Sequence, residues 1–248
     1  MKNSLFLLFL YLGFFLSSFG QEAKDIVKKA DDKAKGKTSI ASITIQIIRP
    51  NWTREMSVKA WTKAKDLTLI LVLAPAKEKG VVFLKRKKEV WNWIPSIERN
   101  IKMPPSMMSQ SWMGTDFTND DLVKEASIIE DYTHSFLEDA IVDDRECYKI
   151  QLLPKPKSAV VWGKIIMCID KKDFIMLNVE YFDEEEKLVN VMHCSEIKLL
   201  GGKILASKME MTPVNKKGNK TVLLYNSLSF DNPLEDSFFS TQNLTKVK

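Results

Sequence analysis

The 248-residue sequence has few of the side chains on which catalysis and metal binding usually depend. Its two histidines, His134 and His193, stand far apart in the chain, and its three cysteines form no C-x-x-C pair. It also lacks a G-x-S-x-G elbow, an H-E-x-x-H helix, a P-loop and a dinucleotide-binding fingerprint. These absences predict a protein that is not an enzyme and that holds no metal and no cofactor.

The cysteines are too few and too irregular to predict a disulfide framework. Cys147, Cys168 and Cys194 are an odd number of thiols, so at least one stays free or pairs with another chain. The segments 146–153 and 163–169 are typical of two hairpin strands, whose pairing would place Cys147 opposite Cys168. A disulfide across such a hairpin has uncommon geometry, so two buried thiols are the favoured alternative.

The charge pattern excludes a nucleic-acid stripe. The chain carries 37 basic and 32 acidic residues, for a net charge of +5, and apart from the run Lys85–Lys88 and a few pairs the basic residues are scattered among acidic ones. We therefore predict no nucleic-acid partner. Carboxylates cluster at Asp116–Asp121 and Asp183–Glu186, but their spacing indicates a helix cap and a turn more than a calcium loop.

Long apolar runs are absent except at the start of the chain. A run over Leu5–Phe15 follows a lysine and precedes small residues up to Gly20. This pattern predicts a secretory signal peptide over residues 1–20, cleaved near Gly20. The alternative, a membrane anchor, would need about 20 apolar residues. We therefore expect an exported protein with a single mature domain over residues 21–248.

Hydrophobic periodicity changes from helical to strand-like after residue 36. Residues 22–34 place their apolar side chains on one stripe of a charged helix, which Gly36 ends. From Ile43 onward, apolar and polar residues alternate, as in half-buried strands. Leu67–Leu73 is apolar on both faces, so we expect one face to lie on a core and the other on a lumen.

The number of strands indicates the architecture. About eleven or twelve strands follow one another, with short helices only at the start, over residues 119–124 and near residues 233–244. A sheet this large curls, and its concave face must be filled or covered. The sequence predicts a mainly β fold: a large curved antiparallel sheet that forms an incompletely closed barrel, with an N-terminal helix and helical lid segments over its concave face.

One central stretch, Trp91–Leu122, is unusually rich in Met and Trp for a loop. It breaks at Pro104-Pro105 and then has no clean period. Such a soft, sulfur-rich and aromatic segment suits the cover of an apolar ligand; the alternative is that it fills an ordinary core. The candidate residues of the ligand cavity and lid are Leu69, Leu71, Trp91, Trp93, Ile101, Met103, Met107, Met108, Trp112, Met113 and Phe117.

The same stretch carries a family resemblance. The segments W-N-W-I-P, R-N-I-K-M-P-P and S-W-M-G-T-D-F-T-N-D-D-L resemble the outer-membrane lipoprotein-sorting family of bacteria, and in particular LolA-like periplasmic proteins with the motif M-G-S-D-F-x-x-x-D-L. Here the motif runs from Met113 to Leu122, with Thr115 in place of Ser. The resemblance implies an open barrel that binds acyl chains under a helical lid. It also implies an arginine that holds the lid, for which Arg54 is the nearest candidate.

The favoured function is therefore a monomeric periplasmic carrier of lipid or lipoprotein acyl chains. By resemblance, an inner-membrane transporter would supply the cargo and an outer-membrane acceptor would receive it. The alternative is an interaction module that binds an envelope transporter or another protein through the barrel rim. A third possibility, a hydrolase with a hidden site, has no motif to support it.

Overall fold

The computed structural model describes residues 20–64, 66–87, 89–124 and 128–247. The signal peptide expected over residues 1–20 lies outside this part of the chain, apart from its last residue. One helix, α1, spans residues 20–35 and precedes the strands. The described strands are β1 (Thr38–Arg49), β2 (Trp52–Lys63), β3 (Leu67–Ala74), β4 (Val82–Arg86), β5 (Glu89–Ile94), β6 (Arg99–Lys102), β7 (Tyr132–Phe136), β8 (Ala140–Val142), β9 (Arg145–Pro154), β10 (Lys164–Asp170), β11 (Met176–Phe182), β12 (Leu188–Leu200), β13 (Lys203–Pro213) and β14 (Lys220–Phe230).

These strands form one antiparallel sheet. Its order is β6-β5-β4-β3-β2-β1-β14-β13-β12-β11-β10-β9-β7, and the short β8 pairs with β9. Each strand pairs with its neighbour in sequence along most of the sheet, while β1 joins the two halves by pairing with both β2 and β14. Strands β6 and β7 are free edges, so the barrel is not closed. The expected fold class, a curved and open antiparallel sheet with an N-terminal helix, is confirmed.

The boundaries of some elements differ from the sequence-based prediction. After the crossing of the sheet the strands resume at Tyr132–Phe136, and the short β8 brings the number of described strands to fourteen, above the eleven or twelve expected. The helix expected over residues 119–124 is a π-helical turn, Asp120–Lys124. The helix expected near the C-terminus is a single 3₁₀ turn, Asp236–Phe238. Both segments are too short to nucleate an independent helix, so their packing on the sheet decides their shape.

The main core lies on the concave face of the sheet. Along β1, Ala41, Ile43, Ile45 and Ile47 all point to this face because strand side chains alternate. Helix α1 packs its apolar stripe of Ala23, Ile26, Val27 and Ala30 against the same core. No helix in the described part of the chain is both long enough and apolar enough to cross a bilayer.

A second core lies on the convex face, under the C-terminal segment (residues 231–247). Phe239 and Leu244 of this segment are fully buried. They pack on Trp61 of β2 and on Leu69 and Leu71 of β3. The two apolar faces of β3 are thus covered by protein on both sides, by the concave core and by this segment, and the convex side is not a lumen.

The cysteines are free thiols, and all three are buried. The register pairs Cys168 with Lys149 and Cys147 with Asp170, two residues away from the expected Cys147–Cys168 pairing. Both thiols instead contribute to a small apolar cluster on the convex face. Burial raises the pKa of Cys147 to about 11 and that of Cys194 to about 12, so neither is a ready nucleophile.

The convex core generates a prediction. Replacing Phe239, which is 0% exposed, by Ala removes a fully packed ring and should lower the free energy of unfolding by about 3–5 kcal/mol. Denaturant-induced unfolding provides the measurement. Phe238→Ala, at the half-buried neighbouring position, is the matched control and should cost clearly less. Equal losses for the two variants would contradict the packing described for the C-terminal segment.

Candidate functional site

The connection between β6 and β7 has to cross the sheet, because these two consecutive strands lie at opposite edges. We call residues 103–124 and 128–131 the crossing segment. It lies over the concave face, where its apolar side chains join the main core. Trp112, only 1% exposed, packs its ring on Phe83 of β4 with a centroid distance of 5.3 Å.

The crossing segment gathers six of the predicted cavity and lid residues. Met103, Met108, Trp112 and Phe117 are buried in the concave core, while Met107 and Met113 are half-buried against it. Phe117 also lines a hollow, described below. The other five fill the space between segment and sheet. The structure thus brings these six residues together.

The remaining predicted residues lie elsewhere. Leu69, Leu71, Trp91 and Trp93 belong to the convex core under the C-terminal segment. Ile101 stands on the edge strand β6, where it is 38% exposed. The alternation of β3 instead turns Ile70 and Val72 to the concave side. Because both sets are equally apolar, the sequence could not show which of them faces inward.

The M-G-T-D motif forms the turn at the tip of the crossing segment. Met113 and Gly114 both adopt the left-handed conformation, with φ of 49° and 80°. Glycine tolerates this geometry without cost. The Thr115 hydroxyl donates to the Trp112 carbonyl oxygen at 2.7 Å and closes the turn. A serine hydroxyl could make the same bond, which explains physically why Thr can stand where the family motif has Ser.

Asp116, the next motif residue, ties this turn to the sheet. Its Oδ2 accepts hydrogen bonds from Arg49 Nη1 at 2.9 Å and from the Thr221 hydroxyl at 2.7 Å. Arg49 Nη2 also donates to the Gly114 carbonyl oxygen at 2.9 Å. The Arg49–Asp116 pair is largely buried, which strengthens it compared with a surface ion pair. We call this set of contacts the latch.

Arg54 makes a further contact with the turn. Its Nη2 donates to the Met113 carbonyl oxygen at 2.5 Å, and its Nη1 pairs with Glu78 Oε1 at 3.0 Å. Arg54, the residue predicted from the family resemblance as a lid contact, therefore contacts the crossing segment. Arg49 and Arg54 flank the turn between β1 and β2, so two arginines from one hairpin hold one loop.

A hollow of about 300 Å³ lies between α1, the crossing segment and the concave face of β1, β2 and β10–β14. Its walls are mainly apolar: Val27 comes from α1, Phe117 from the crossing segment, and Ile165, Met192 and Leu223 from the sheet. This is the lower end of the size range of ligand pockets. The hollow is therefore beside the Met- and Trp-rich part of the crossing segment, not beneath it.

Small side chains leave this space open. Ala30 and Ala34 of α1 line the hollow together with Ala41, Ala60 and Ala206 of the sheet. Ala41 and Ala60 lie directly opposite each other on β1 and β2. Larger residues at these positions would let helix and sheet fill the gap, as protein interiors normally do.

Polar groups stand at both ends of the hollow. At the α1 end, Lys35 pairs with Asp31 at 2.6 Å. At the crossing-segment end, Asp121 accepts hydrogen bonds from the Thr118 backbone N–H and from Trp162 Nε1, both at 2.8 Å. Burial raises the pKa of Asp121 above its ordinary value, even though these hydrogen bonds oppose the shift.

Sequence reasoning missed several residues of the site. Arg49 and Thr221 complete the latch, and strands β10–β14 supply much of the hollow's wall. A signal for the hollow was present in the inward positions Ala41 and Ala60, which are smaller than their neighbours along each strand. A signal for the latch was absent, because Asp116 and Thr221 are 105 residues apart in sequence.

The chain is similar to one family of sequences and to several solved structures. A family model described as "Uncharacterized protein" matches residues 64–246. No curated protein sequence matches the chain significantly. A solved DUF1329 family protein from Desulfovibrio piger has a TM-score of 0.82 at 21% identity, covering 91% of this chain and 99% of that one.

Two other solved structures are similar. A protein domain from Vibrio parahaemolyticus, titled as outer membrane lipoprotein-sorting, has a TM-score of 0.80 at 22% identity, covering 92% of this chain and 100% of that one. A LolA superfamily protein from Nitrosomonas europaea has a TM-score of 0.77 at 20% identity, covering 89% and 98%. At these identities the likeness establishes a shared fold.

The latch generates a prediction. Arg49→Met leaves Asp116 buried without its cation, so we expect a loss of about 3 kcal/mol in the free energy of unfolding and faster amide exchange in the turn around Gly114. Hydrogen exchange followed by mass spectrometry measures both effects. Arg49→Met combined with Asp116→Leu removes both charges and should recover part of the loss. No recovery in the double variant would argue against a direct ion pair.

A pH dependence follows from His134, whose Nε2 lies 2.7 Å from the Ile128 carbonyl oxygen. Burial lowers the pKa of His134 below its ordinary value. As the pH falls below about 6.5, His134 takes up a proton in the unfolded chain more readily than in the folded one. The free energy of unfolding therefore falls as the pH falls. His134→Gln can keep the hydrogen bond without titrating. Urea unfolding midpoints across this range should fall less steeply for the variant; equal slopes would contradict the assignment.

Proposed function

The chain belongs to the family whose model, described as "Uncharacterized protein", matches residues 64–246, and its fold is LolA-like; from this we propose that it is a periplasmic carrier of lipid or lipoprotein acyl chains. The cargo chain occupies the hollow between α1, the crossing segment and the sheet. The protein acts by binding and release, without a chemical reaction. The single observation that carries the proposal is this mainly apolar hollow between the helix, the crossing segment and the sheet.

The apolar lining supports binding of a hydrocarbon chain. Each methylene group moved out of water into such a site gains about 0.8 kcal/mol. Part of this gain is offset by the entropy lost on association and on fixing the chain. A hollow lined by flexible methionines such as Met167, Met192 and Met209 can adapt to chains of slightly different shape.

The latch supports uptake and release. The tip of the crossing segment is tied to the sheet through the carboxylate and backbone N–H of Asp116 and through three backbone carbonyl oxygens, those of Met113, Gly114 and Asp116. Breaking these few contacts frees the tip without disturbing the strand ladder. A carrier needs such a cover, because cargo that is fully enclosed must still be able to leave.

The start of the sequence and the likeness to a lipoprotein-sorting domain support a role in the periplasm. A signal peptide over residues 1–20 would export the chain to the periplasm. The Vibrio parahaemolyticus domain is titled as lipoprotein-sorting. On this basis a monomeric carrier would receive cargo from an inner-membrane transporter and deliver it to an outer-membrane acceptor.

The lining residues favour carriage over catalysis. Among the described residues that line the hollow there is no histidine and no cysteine. Asp31, the carboxylate at the α1 end, is paired with Lys35, and Asp121 is held by two hydrogen bonds. These groups form no nucleophile and base pair of the kind that hydrolysis requires.

Filling the hollow tests the proposal. Ala60→Phe places a ring in the space opposite Ala41, so it should lower the binding of a polarity-sensitive fatty-acyl dye at least about tenfold while leaving the protein folded. Fluorescence titration measures the binding, and circular dichroism checks the fold. Ala76→Phe is the matched control, since Ala76 is exposed on the β3–β4 turn.

The possible results separate clearly. Weak dye binding by Ala60→Phe with normal binding by Ala76→Phe would support carriage in the hollow. Equal dye binding by the wild-type protein and both variants would place the dye elsewhere and overturn the proposal. Absence of dye binding by the wild-type protein would overturn it as well.

A further inference from the structure

One carboxylate at the crossing-segment end of the hollow, that of Asp121, is held by hydrogen bonds and not by an ion pair. Asp120 and Asp121 both line the hollow where the crossing segment closes it. Asp121 receives one hydrogen bond on each carboxylate oxygen, from the Thr118 backbone N–H and from Trp162 Nε1. Outside residues 123–127, no lysine or arginine side chain of the described chain lies within ion-pair distance of Asp121. A carboxylate has about four acceptor positions, so further ones remain for a ligand.

The side chain of Tyr181 lines the same end of the hollow as Asp121. Tyr181 of β11 lines the hollow, and its ring lies 5.0 Å from that of Trp162, the residue that donates to Asp121. Within the described residues the Tyr181 hydroxyl has no hydrogen-bond partner. Burial, with the nearby charge of Asp121, raises the pKa of Tyr181 well above its ordinary value, so the group stays a neutral donor and acceptor.

These groups suit one kind of polar head and disfavour another. A buried carboxylate without a cation is costly, and an ammonium placed beside it would offset that cost. The Tyr181 hydroxyl oxygen could accept a second hydrogen bond from the same ammonium. A carboxylate or phosphate head would instead meet like charge in a site of low dielectric.

The volume limits the tail. An apolar cavity of about 150 Å³ holds benzene, which has six carbons. By that measure a hollow of about 300 Å³ holds about twelve carbons, which corresponds to one alkyl chain. The tail would run from Asp121 toward Ala30 and Ala34 of α1, along the small side chains that keep the hollow open.

We propose that the hollow's preferred cargo is a single-chain amphiphile with a primary ammonium head, held by Asp121 and Tyr181 at the crossing-segment end. This assignment rests on the proposed function, because it identifies the cargo of the same hollow. The Lys35–Asp31 pair at the other end is already neutral and leaves that end to the tail.

Three probes of equal chain length test the assignment: dodecylamine, dodecanol and dodecanoate, each below its micelle concentration at neutral pH. Displacement of a polarity-sensitive dye from the wild-type protein measures their affinities. The amine should bind at least about tenfold more tightly than the carboxylate, since a hydrogen bond to a charged group contributes about 1.5–3 kcal/mol. The alcohol should fall between them.

Variants of Asp121 and Tyr181 test whether these residues cause the preference for the amine. Asp121→Asn should weaken dodecylamine at least about tenfold and leave dodecanol nearly unchanged. Tyr181→Phe should weaken the amine by a smaller factor. Asp31→Asn, the same substitution at the opposite end, is the matched control and should keep the preference for the amine. Circular dichroism and thermal unfolding establish that each variant is folded.

The outcomes distinguish this assignment from the proposed function. Equal binding of all three probes, or tighter binding of dodecanoate, would overturn the ammonium site while leaving acyl carriage intact. An amine preference that survives in both Asp121→Asn and Tyr181→Phe would also overturn it. Failure of every probe to bind the wild-type protein would remove both proposals together.

Discussion

The crossing segment is the constraint on which the rest of the structure depends. Two consecutive strands, β6 and β7, lie at opposite edges of one sheet, so the chain between them has to pass over a face. The concave face is apolar and must be shielded from water. The crossing segment therefore combines a topological link with a cover, and its Met and Trp side chains supply the apolar contacts that keep it there.

The hollow exists because helix and crossing segment cover the same face without meeting in full. Alanines on α1, β1 and β2 hold the space open, while Asp116 and Arg49 fix the tip of the cover. The ion pair that holds the crossing segment is at its tip, whereas most of the side chains that line the hollow are apolar. That division suits a protein that must enclose a hydrocarbon chain and later release it.

Much of the fold followed from the sequence, because alternation and turn residues act locally. The sequence did not show which side chains of β3 point to the concave face. Leu69 and Ile70 are equally apolar, and Leu69 lies on the convex side because the C-terminal segment with Phe239 packs there. The motif around Gly114 marked the cover, and Arg54 was found beside it. The partners of Asp116 could not be predicted, since they come from distant strands.

We propose above all that one hydrocarbon chain occupies the hollow of the native protein. Native mass spectrometry of the chain purified from bacterial periplasm measures this directly, since bound lipid adds its mass to that of the polypeptide. We predict a peak heavier by the mass of one single-chain amphiphile, which disappears on organic extraction. A peak at the bare polypeptide mass under conditions that preserve known lipid complexes would contradict the claim.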